Sequence, residues 1–132
     1  EDQASASARG EGRTVLLVED NAPLRVLTRE VLTMAGFRVL EAANGEDGGR
    51  LAGAAERIDL LLTDVVLPKR GGSDLAREVR SRHPEAKVLF TSGYAADSLH
   101  AQEAPGTGVA FLPKPSSPRE LLAKVAEVLG DA

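Results

Sequence analysis

Short runs of apolar residues alternate along the chain with longer segments in which apolar residues recur every three or four positions. Short continuous runs are typical of strands buried on both faces, and the longer periodic segments are typical of amphipathic helices. The predicted strands cover residues 14–20, 38–42, 59–64, 87–93 and 108–115. The predicted helices cover residues 23–36, 44–56, 73–83, 95–104 and 117–130.

This alternation predicts an α/β fold, a doubly wound five-stranded parallel sheet with five helices on its two faces. Because crossovers between parallel strands are right-handed, few topologies remain, and we expect the flavodoxin-like strand order 2-1-3-4-5. A length of 132 residues suits one domain with one real core. Residues 1–13 are small and polar, so we expect a flexible linker there and a folded domain over residues 14–131.

Local signals predict how the helices pack. Helical spacing places one stripe of the first helix toward the core, formed by Leu24, Leu27, Val31 and either Met34 or Ala35. The second helix is weakened by Gly48 and Gly49, which stand where better helix formers are expected. At the end of the third helix, His83 is expected to be solvated.

Composition and charge narrow the classes of function. The formal net charge is −4 and aromatic residues make up 3% of the chain, which argues against nucleic acid as a partner. No apolar run reaches the ~20 residues of a membrane span, so we expect no membrane segment within this chain. The chain has no cysteine, which excludes disulfides and thiolate metal sites and suits a cytoplasmic protein.

Polar residues stand at the ends of four predicted strands. The first strand ends in Glu19 and Asp20, the third in Asp64, the fourth in Thr91 and Ser92, and the fifth in Lys114. In a sheet of this order the carboxyl ends of the strands meet at the ligand-binding edge. Close carboxylates repel one another, and a hard cation such as Mg²⁺ relieves that repulsion. A lysine beside them suits a second, anionic group, so the set favours a phosphoryl group on Asp64.

Four motifs carry a resemblance to a known family. They are "LLVEDN" (16–21), "LLLTDVVLPKRGG" (60–72), "LFTSGY" (89–94) and "FLPKP" (111–115), in this order and each at a strand end. Over about residues 13–130 the sequence resembles a receiver domain of two-component signalling. It is most similar to receivers at the C-terminus of hybrid sensor histidine kinases.

The resemblance implies a role for each of these residues. Asp64 would be the phosphoacceptor, and Glu19, Asp20 and the main-chain carbonyl of Val66 would hold Mg²⁺ together with it. The switch hydroxyl and the phosphate-binding lysine would be those of Thr91 and Lys114. The switch aromatic position falls on Phe111.

The resemblance also implies partners and chemistry. The phosphoryl donor would be a phosphohistidine on a sensor histidine kinase or a histidine phosphotransfer domain, docking near Ala22, Pro23 and Val26. The domain would catalyse only its own phosphorylation and slow dephosphorylation, and it would not be an enzyme acting on other substrates. We also expect this chain to form a dimer through the last two helices and the last strand. Receivers commonly have a cis bond after the lysine, which here would be Lys114–Pro115.

The sequence also suggests a long-lived phosphorylated form. Receivers reach the hydrolytic water from two positions, which are Val66 and Gly93 in this chain. Neither side chain can donate or accept a hydrogen bond, so we expect slow hydrolysis.

Some positions depart from the family pattern. Leu67 replaces the usual methionine, and Ser116 stands where this subtype often has an aromatic residue. Phe111 lacks a hydroxyl, so a tyrosine-type hydrogen bond from that ring is impossible. These changes affect the switching surface and leave every reacting group in place.

Three other functions share part of this pattern. A flavodoxin that binds FMN shares the fold, but the acidic pair at 19–20 would repel its phosphate. An aspartyl-phosphate hydrolase typically carries a second aspartate where this chain has Val66. A degenerate receiver could act as a docking module without phosphorylation, and the intact set of reacting groups argues against this.

Overall fold

The computed structural model of the protein describes residues 10–65, 67, 71–92, 109–114 and 116–130. Its strands are β1 (Thr14–Val18), β2 (Arg38–Ala42), β3 (Leu60–Asp64), β4 (Lys87–Ser92) and β5 (Val109–Pro113). Its helices are α1 (Ala22–Met34), α2 (Gly45–Ala54), α3 (Gly72–Arg82) and α4 (Pro118–Leu129). The helix predicted over residues 95–104 lies outside the described residues.

The five strands form one parallel sheet in the order β2-β1-β3-β4-β5, which confirms the predicted fold class and strand order. The register places Val18 of β1 beside Thr63 of β3, and Asp64 of β3 beside Thr91 of β4. The carboxyl ends of the three central strands therefore lie side by side at one edge of the sheet. None of the helices in the described ranges is both long enough and apolar enough to cross a membrane.

Two hydrophobic layers cover the two faces of the sheet, because successive residues of a strand point to opposite sides. One layer lies under α2 and α3 and includes Leu16, Val18, Leu61, Leu75 and Val79. The other lies under α1 and α4 and includes Val15, Leu17, Leu62, Leu32 and Val125. Burial on both faces explains why the strands read as continuous apolar runs.

The predicted inward stripe of α1 is partly wrong. The fully buried residue of this helix is Leu32, whereas Leu27 is 52% exposed and Met34 is 88% exposed. The reason is rotation of the helix about its axis, because α1 rests on the sheet through Leu32 while Leu27 lines an open groove beside α4. Helical spacing defines which residues share a face, but it does not define which face the sheet covers.

A glycine in α2 has a packing role. A Cβ atom at Gly48 would lie 3.0 Å from Val18 Cγ2 and 3.2 Å from Leu75 Cδ2. The missing side chain therefore lets α2 approach both β1 and α3. The loss of helix propensity noted in the sequence is the cost of this close approach.

The prediction that His83 is solvated is wrong. This side chain is buried, and its Nε2 atom lies 2.9 Å from the main-chain oxygen of Ala52 in α2. A buried polar ring needs such a partner, and the partner is 31 positions earlier in the chain.

Residues 10–13, at the end of the segment predicted as a linker, contact the turn between α1 and β2. The Gly10 N–H donates to the oxygen of Ala35, and the Gly12 N–H donates to the oxygen of Gly36. Gly36 has a φ of 99°, in the left-handed region that glycine adopts without strain, so the chain can turn here after the end of α1.

Candidate functional site

The loop after β1 holds one carboxylate inside the protein and one outside. Glu19 is buried and Asp20 is exposed. The following residue, Asn21, caps α1 by accepting a hydrogen bond from the Leu24 N–H at 2.9 Å, and its own N–H donates to Glu19 Oε2 at 3.0 Å. Because Asn21 is the N-cap, Asp20 is not used to cap the helix and lies with Glu19 and Asp64 at the edge of the sheet.

The end of β3 places Asp64 at the same edge. Its side chain is 14% exposed. The next residue, Val65, donates its N–H to the oxygen of Thr91 at 3.0 Å and accepts the Gly72 N–H at 3.0 Å. A Cβ atom at Gly72 would overlap the main-chain oxygen of Asp64, so glycine is required for α3 to begin this close to the carboxylate.

Lys114, which follows β5, joins the two acidic strand ends. Its Nζ atom lies 2.8 Å from Glu19 Oε1 and 2.8 Å from Asp64 Oδ2. Burial opposes the charge on this amine, but the hydrogen bonds to Asp64 and Glu19 outweigh it and raise the pKa of Lys114 above its usual 10.5. The side chain is therefore charged at neutral pH, and the stabilisation from its charge is lost only as the pH rises through that raised pKa.

Three carboxylates form a compact group beside this lysine. One oxygen each from Glu19, Asp20 and Asp64 lies within 4.8 Å of the others. Among the described residues, the three carboxylates repel one another and share the ammonium group of Lys114, and a cation bound between them would relieve that repulsion. Carboxylate oxygens at this spacing are the donor type that Mg²⁺ prefers.

Thr91 and Phe111 lie on the strands next to Asp64. Thr91 is half-buried, pairs in register with Asp64, and lines the same opening as Glu19 and Lys114. Phe111 is half-buried on β5, and its ring centroid lies 5.4 Å from that of Phe90. The structure thus places the two predicted switch positions on adjacent strands.

Several predictions fall on residues outside the described ranges. These are the carbonyl ligand at Val66, the hydrolysis positions Val66 and Gly93, and the cis bond between Lys114 and Pro115. They stay predictions.

A groove of about 310 Å³ runs from the site between α1 and α4. Its mouth includes Glu19, Thr91 and Lys114, and its apolar walls include Leu27 and Leu121. The acidic site is therefore continuous with an apolar surface on α1.

Sequence reasoning missed two residues that hold the acidic loop. Asn21 could have been found, because an asparagine shortly before a proline at a helix start is a capping signal. Arg25 could not, because its Nη1 atom reaches back to the main-chain oxygen of Glu19, at 2.7 Å. Its contacts depend on the three-dimensional path of the loop.

Solved receiver domains share this architecture. The crystal structure of the receiver domain from hybrid histidine kinase CckA is 37% identical, with a TM-score of 0.75, and the match covers 88% of this chain and 98% of that one. A response regulator receiver protein from Sinorhizobium medicae WSM419 is 28% identical, with a TM-score of 0.80, covering 91% of this chain and 96% of that one.

Comparisons of the amino-acid sequence with known proteins also find similarity to two-component signalling proteins. Sensor kinase CckA of Brucella abortus (strain 2308) is 38% identical over 117 residues, which are 88% of this chain and 12% of that protein. Transcriptional regulatory protein CpxR of Klebsiella pneumoniae subsp. pneumoniae (strain HS11286) is 38% identical over 116 residues, 87% of this chain and 48% of that protein. The chain thus spans less than half the length of these relatives. The response regulator receiver domain family matches residues 15–126, and the chain belongs to this family of phosphoacceptor domains in two-component signalling.

Proposed function

We propose that Asp64 accepts a phosphoryl group from a phosphohistidine on a sensor histidine kinase or a histidine phosphotransfer domain. The observation that supports this most directly is the position of Asp64, which lies beside both Lys114 and the Glu19–Asp20 pair at the ligand-binding edge of the sheet. A carboxylate oxygen of Asp64 attacks phosphorus, the phosphorus–nitrogen bond breaks, and the histidine nitrogen keeps the electron pair. The product is an acyl phosphate on Asp64 and a neutral histidine on the donor.

Two neighbouring side chains assist this transfer. Lys114 is fixed by its contacts at 2.8 Å, so its ammonium group neutralises charge on a phosphoryl oxygen without reorganisation. The Thr91 hydroxyl stands on the neighbouring strand, in register with Asp64, where it can donate to another phosphoryl oxygen. Formation of that hydrogen bond would pull Thr91 toward the site and change the surface around β4.

The acidic group fits a magnesium ion. Glu19, Asp20 and Asp64 would hold it together with the main-chain carbonyl of Val66. When bound, Mg²⁺ supplies positive charge that offsets the like-charge repulsion and the charge of the transferring phosphoryl group.

Phe111 would report the phosphorylated state by packing. Its ring contacts Phe90 and has no hydroxyl to form a hydrogen bond with a rearranged main chain. We therefore propose that movement of Thr91 changes the space available to this ring, and that the ring position is what a partner reads.

The start of α1 would dock the donor. Ala22, Pro23 and Val26 are exposed beside the acidic edge, and Leu27 extends this apolar surface into the groove next to α4. Val26→Glu should slow phosphotransfer from a cognate kinase and leave labelling by acetyl phosphate unchanged. Equal slowing of both reactions would contradict docking at this surface.

We also propose that the receiver unit covers residues 14–131, acts in the cytoplasm, and dimerises through β5, α4 and the helix predicted over 95–104. Light scattering before and after phosphorylation measures the dimer directly. A monomer in both states would exclude it.

Labelling decides whether Asp64 is the phosphoacceptor. Acetyl phosphate with Mg²⁺ should label the wild-type chain at one carboxylate, and peptide mapping by mass spectrometry should place the label on Asp64. Asp64→Asn should remove the label. A chain that binds Mg²⁺ without any label would instead be a docking module, and equal labelling of Asp64→Asn would exclude the assignment.

A further inference from the structure

The two acidic residues after β1 bind a metal ion more tightly when the peptide between them already has a fixed orientation, because less conformational freedom is lost on binding. The main-chain N–H of Glu19 donates to the oxygen of Ala42 in β2 at 3.0 Å, which fixes one side of this residue. The carbonyl of Glu19 belongs to the peptide bond that joins it to Asp20. This carbonyl accepts a hydrogen bond from Arg25 Nη1 at 2.7 Å.

Arg25 is itself held in place by an ion-pair network. Its Nε atom lies 3.6 Å from Glu41 Oε1, and the other carboxylate oxygen of Glu41 lies 3.0 Å from Arg29 Nη1. The side chains of Arg25 and Glu41 are 21% and 28% exposed, so both are largely shielded from water. A planar guanidinium can serve a carbonyl and a carboxylate at once, because its N–H groups point in fixed, different directions.

We propose that Arg25 is a positioning residue for the cation site, with Glu41 holding Arg25. By fixing the Glu19–Asp20 peptide, Arg25 would set the angle between the two carboxylates before the cation arrives. The ion would then bind without first ordering the loop. This inference rests on the proposed function, since it assigns Arg25 to the same Mg²⁺ site.

The sign of the effect separates positioning from simple charge. Arg25 is a cation near three carboxylates, so through charge alone its removal would tighten Mg²⁺ binding. Through positioning, its removal would weaken Mg²⁺ binding, because the Glu19–Asp20 peptide would lose the hydrogen bond that fixes its carbonyl. The charge account and the positioning account therefore predict opposite changes in the Mg²⁺ affinity.

The experiment measures Mg²⁺ affinity by isothermal titration calorimetry, and separately the Mg²⁺ dependence of acetyl phosphate labelling. Arg25→Met should weaken Mg²⁺ binding about tenfold, with the labelling rate at saturating Mg²⁺ within about twofold of wild type. Arg77→Met is the matched control, because Arg77 is an exposed arginine of α3 paired with Asp74 at 3.1 Å. It should leave Mg²⁺ affinity unchanged.

Two further variants complete the test. Arg25→Lys keeps the charge and replaces the methionine variant in the test if that variant does not fold. It lacks the planar fork and should also weaken Mg²⁺ binding severalfold. Glu41→Gln should weaken binding in the wild-type background and have little further effect beside Arg25→Met, because it acts through Arg25.

The outcomes are distinguishable. Wild-type or tighter Mg²⁺ binding by Arg25→Met and Arg25→Lys would overturn the role of Arg25 while leaving the proposed function standing. A wild-type chain that binds no Mg²⁺ and takes no label would overturn both.

Discussion

Strand β3 has an aspartate at each end, and the two carboxylates have different surroundings. Asp59, just before the strand, is 8% exposed; its Oδ2 accepts the Thr14 N–H at 2.8 Å and its Oδ1 accepts Arg57 Nε at 2.8 Å. Asp64, at the other end, shares Lys114 with Glu19 and lies near Asp20. Each carboxylate is close to a cation, so proximity to a positive charge does not distinguish them.

The balance of charge around each group distinguishes them. Asp59 has one donor for each oxygen, and its main-chain oxygen also accepts the Lys87 N–H, so it fastens the starts of β1, β3 and β4 together. Among the described residues, Asp64 is grouped with two other carboxylates, whose mutual repulsion a bound cation would relieve. Asp59, which has one donor at each oxygen, has a structural role, and Asp64, which is grouped with Glu19 and Asp20 at the ligand-binding edge, is suited to reaction.

Replacing each aspartate by asparagine gives the strongest test of the difference between Asp59 and Asp64. Asp64→Asn should abolish acetyl phosphate labelling, because the amide is not a nucleophile. It should change the free energy of unfolding by less than about 1 kcal/mol, because the lost attraction to Lys114 is offset by relief of the repulsion from Glu19 and Asp20. Asp59→Asn should keep the labelling rate within about twofold and lower the free energy of unfolding by about 1–3 kcal/mol, because a buried acceptor is lost. Urea unfolding and phosphoprotein assays measure the two effects.

The two variants control for each other, since each makes the same chemical change on the same strand. If Asp59→Asn lost the label while remaining folded, the division between a structural and a reactive end would be wrong. A large loss of stability in Asp64→Asn would have the same meaning.

Removal of the shared cation should have the next largest effect. Lys114→Met should slow labelling about 10²-fold, the usual effect of losing one preorganised charge-stabilising donor. It should also tighten Mg²⁺ binding about tenfold, because Lys114 Nζ competes for two of the carboxylates at 2.8 Å. Rapid-quench labelling and calorimetry give the two values.

Arg57→Met is the corresponding change at the other end of β3. Arg57 is itself mostly exposed, so its loss should cost about 1 kcal/mol or less of stability and leave labelling and Mg²⁺ binding unchanged.

For Lys114→Met, the contradicting outcome is weaker Mg²⁺ binding. It would show that the lysine supports the metal site instead of competing with it.

A smaller effect is expected from replacing Gly72, which lies against the main chain of Asp64 at the end of β3. Gly72→Ala would bring Cβ against the main chain of Asp64 and Val65, and should lower the free energy of unfolding by about 1–3 kcal/mol. Gly71→Ala is the matched control, because no atom of the described residues lies within 4 Å of a Cβ there and its φ is −68°. Its stability should stay within about 1 kcal/mol of wild type, and equal losses in both would argue against overlap at Gly72.

The sequence was enough to predict the strand order and the meeting of Asp64 with Lys114. Parallel strands must place their carboxyl ends at one edge, so the strand order alone assigns the residues at strand ends to a common region. The side-chain contacts at 2.8 Å are a finer detail of the same constraint.

Other features could not be predicted, because they depend on how elements rotate and approach. The burial of Leu32 in place of Leu27 follows from the rotation of α1 on the sheet, and helical period alone does not fix that rotation. The burial of His83 depends on a carbonyl of α2 that is distant in the chain, and the role of Gly48 depends on the distance between α2 and β1.

The smallest predicted effect concerns the lifetime of the phosphoryl group on Asp64. Val66 and Gly93, outside the described residues, are the positions from which a receiver side chain would orient the attacking water, and neither can form a hydrogen bond through its side chain. Val66→Asn should therefore speed loss of the label by up to about tenfold, the rate equivalent of one hydrogen bond worth about 1.4 kcal/mol. The decay of purified phosphoprotein in Mg²⁺ measures this rate. Val66→Ala is the control for the effect of a smaller side chain, which would shield the acyl phosphate less from water. Equal decay of wild type and Val66→Asn, or a wild type that loses its label within seconds, would show that water orientation does not limit hydrolysis at Asp64.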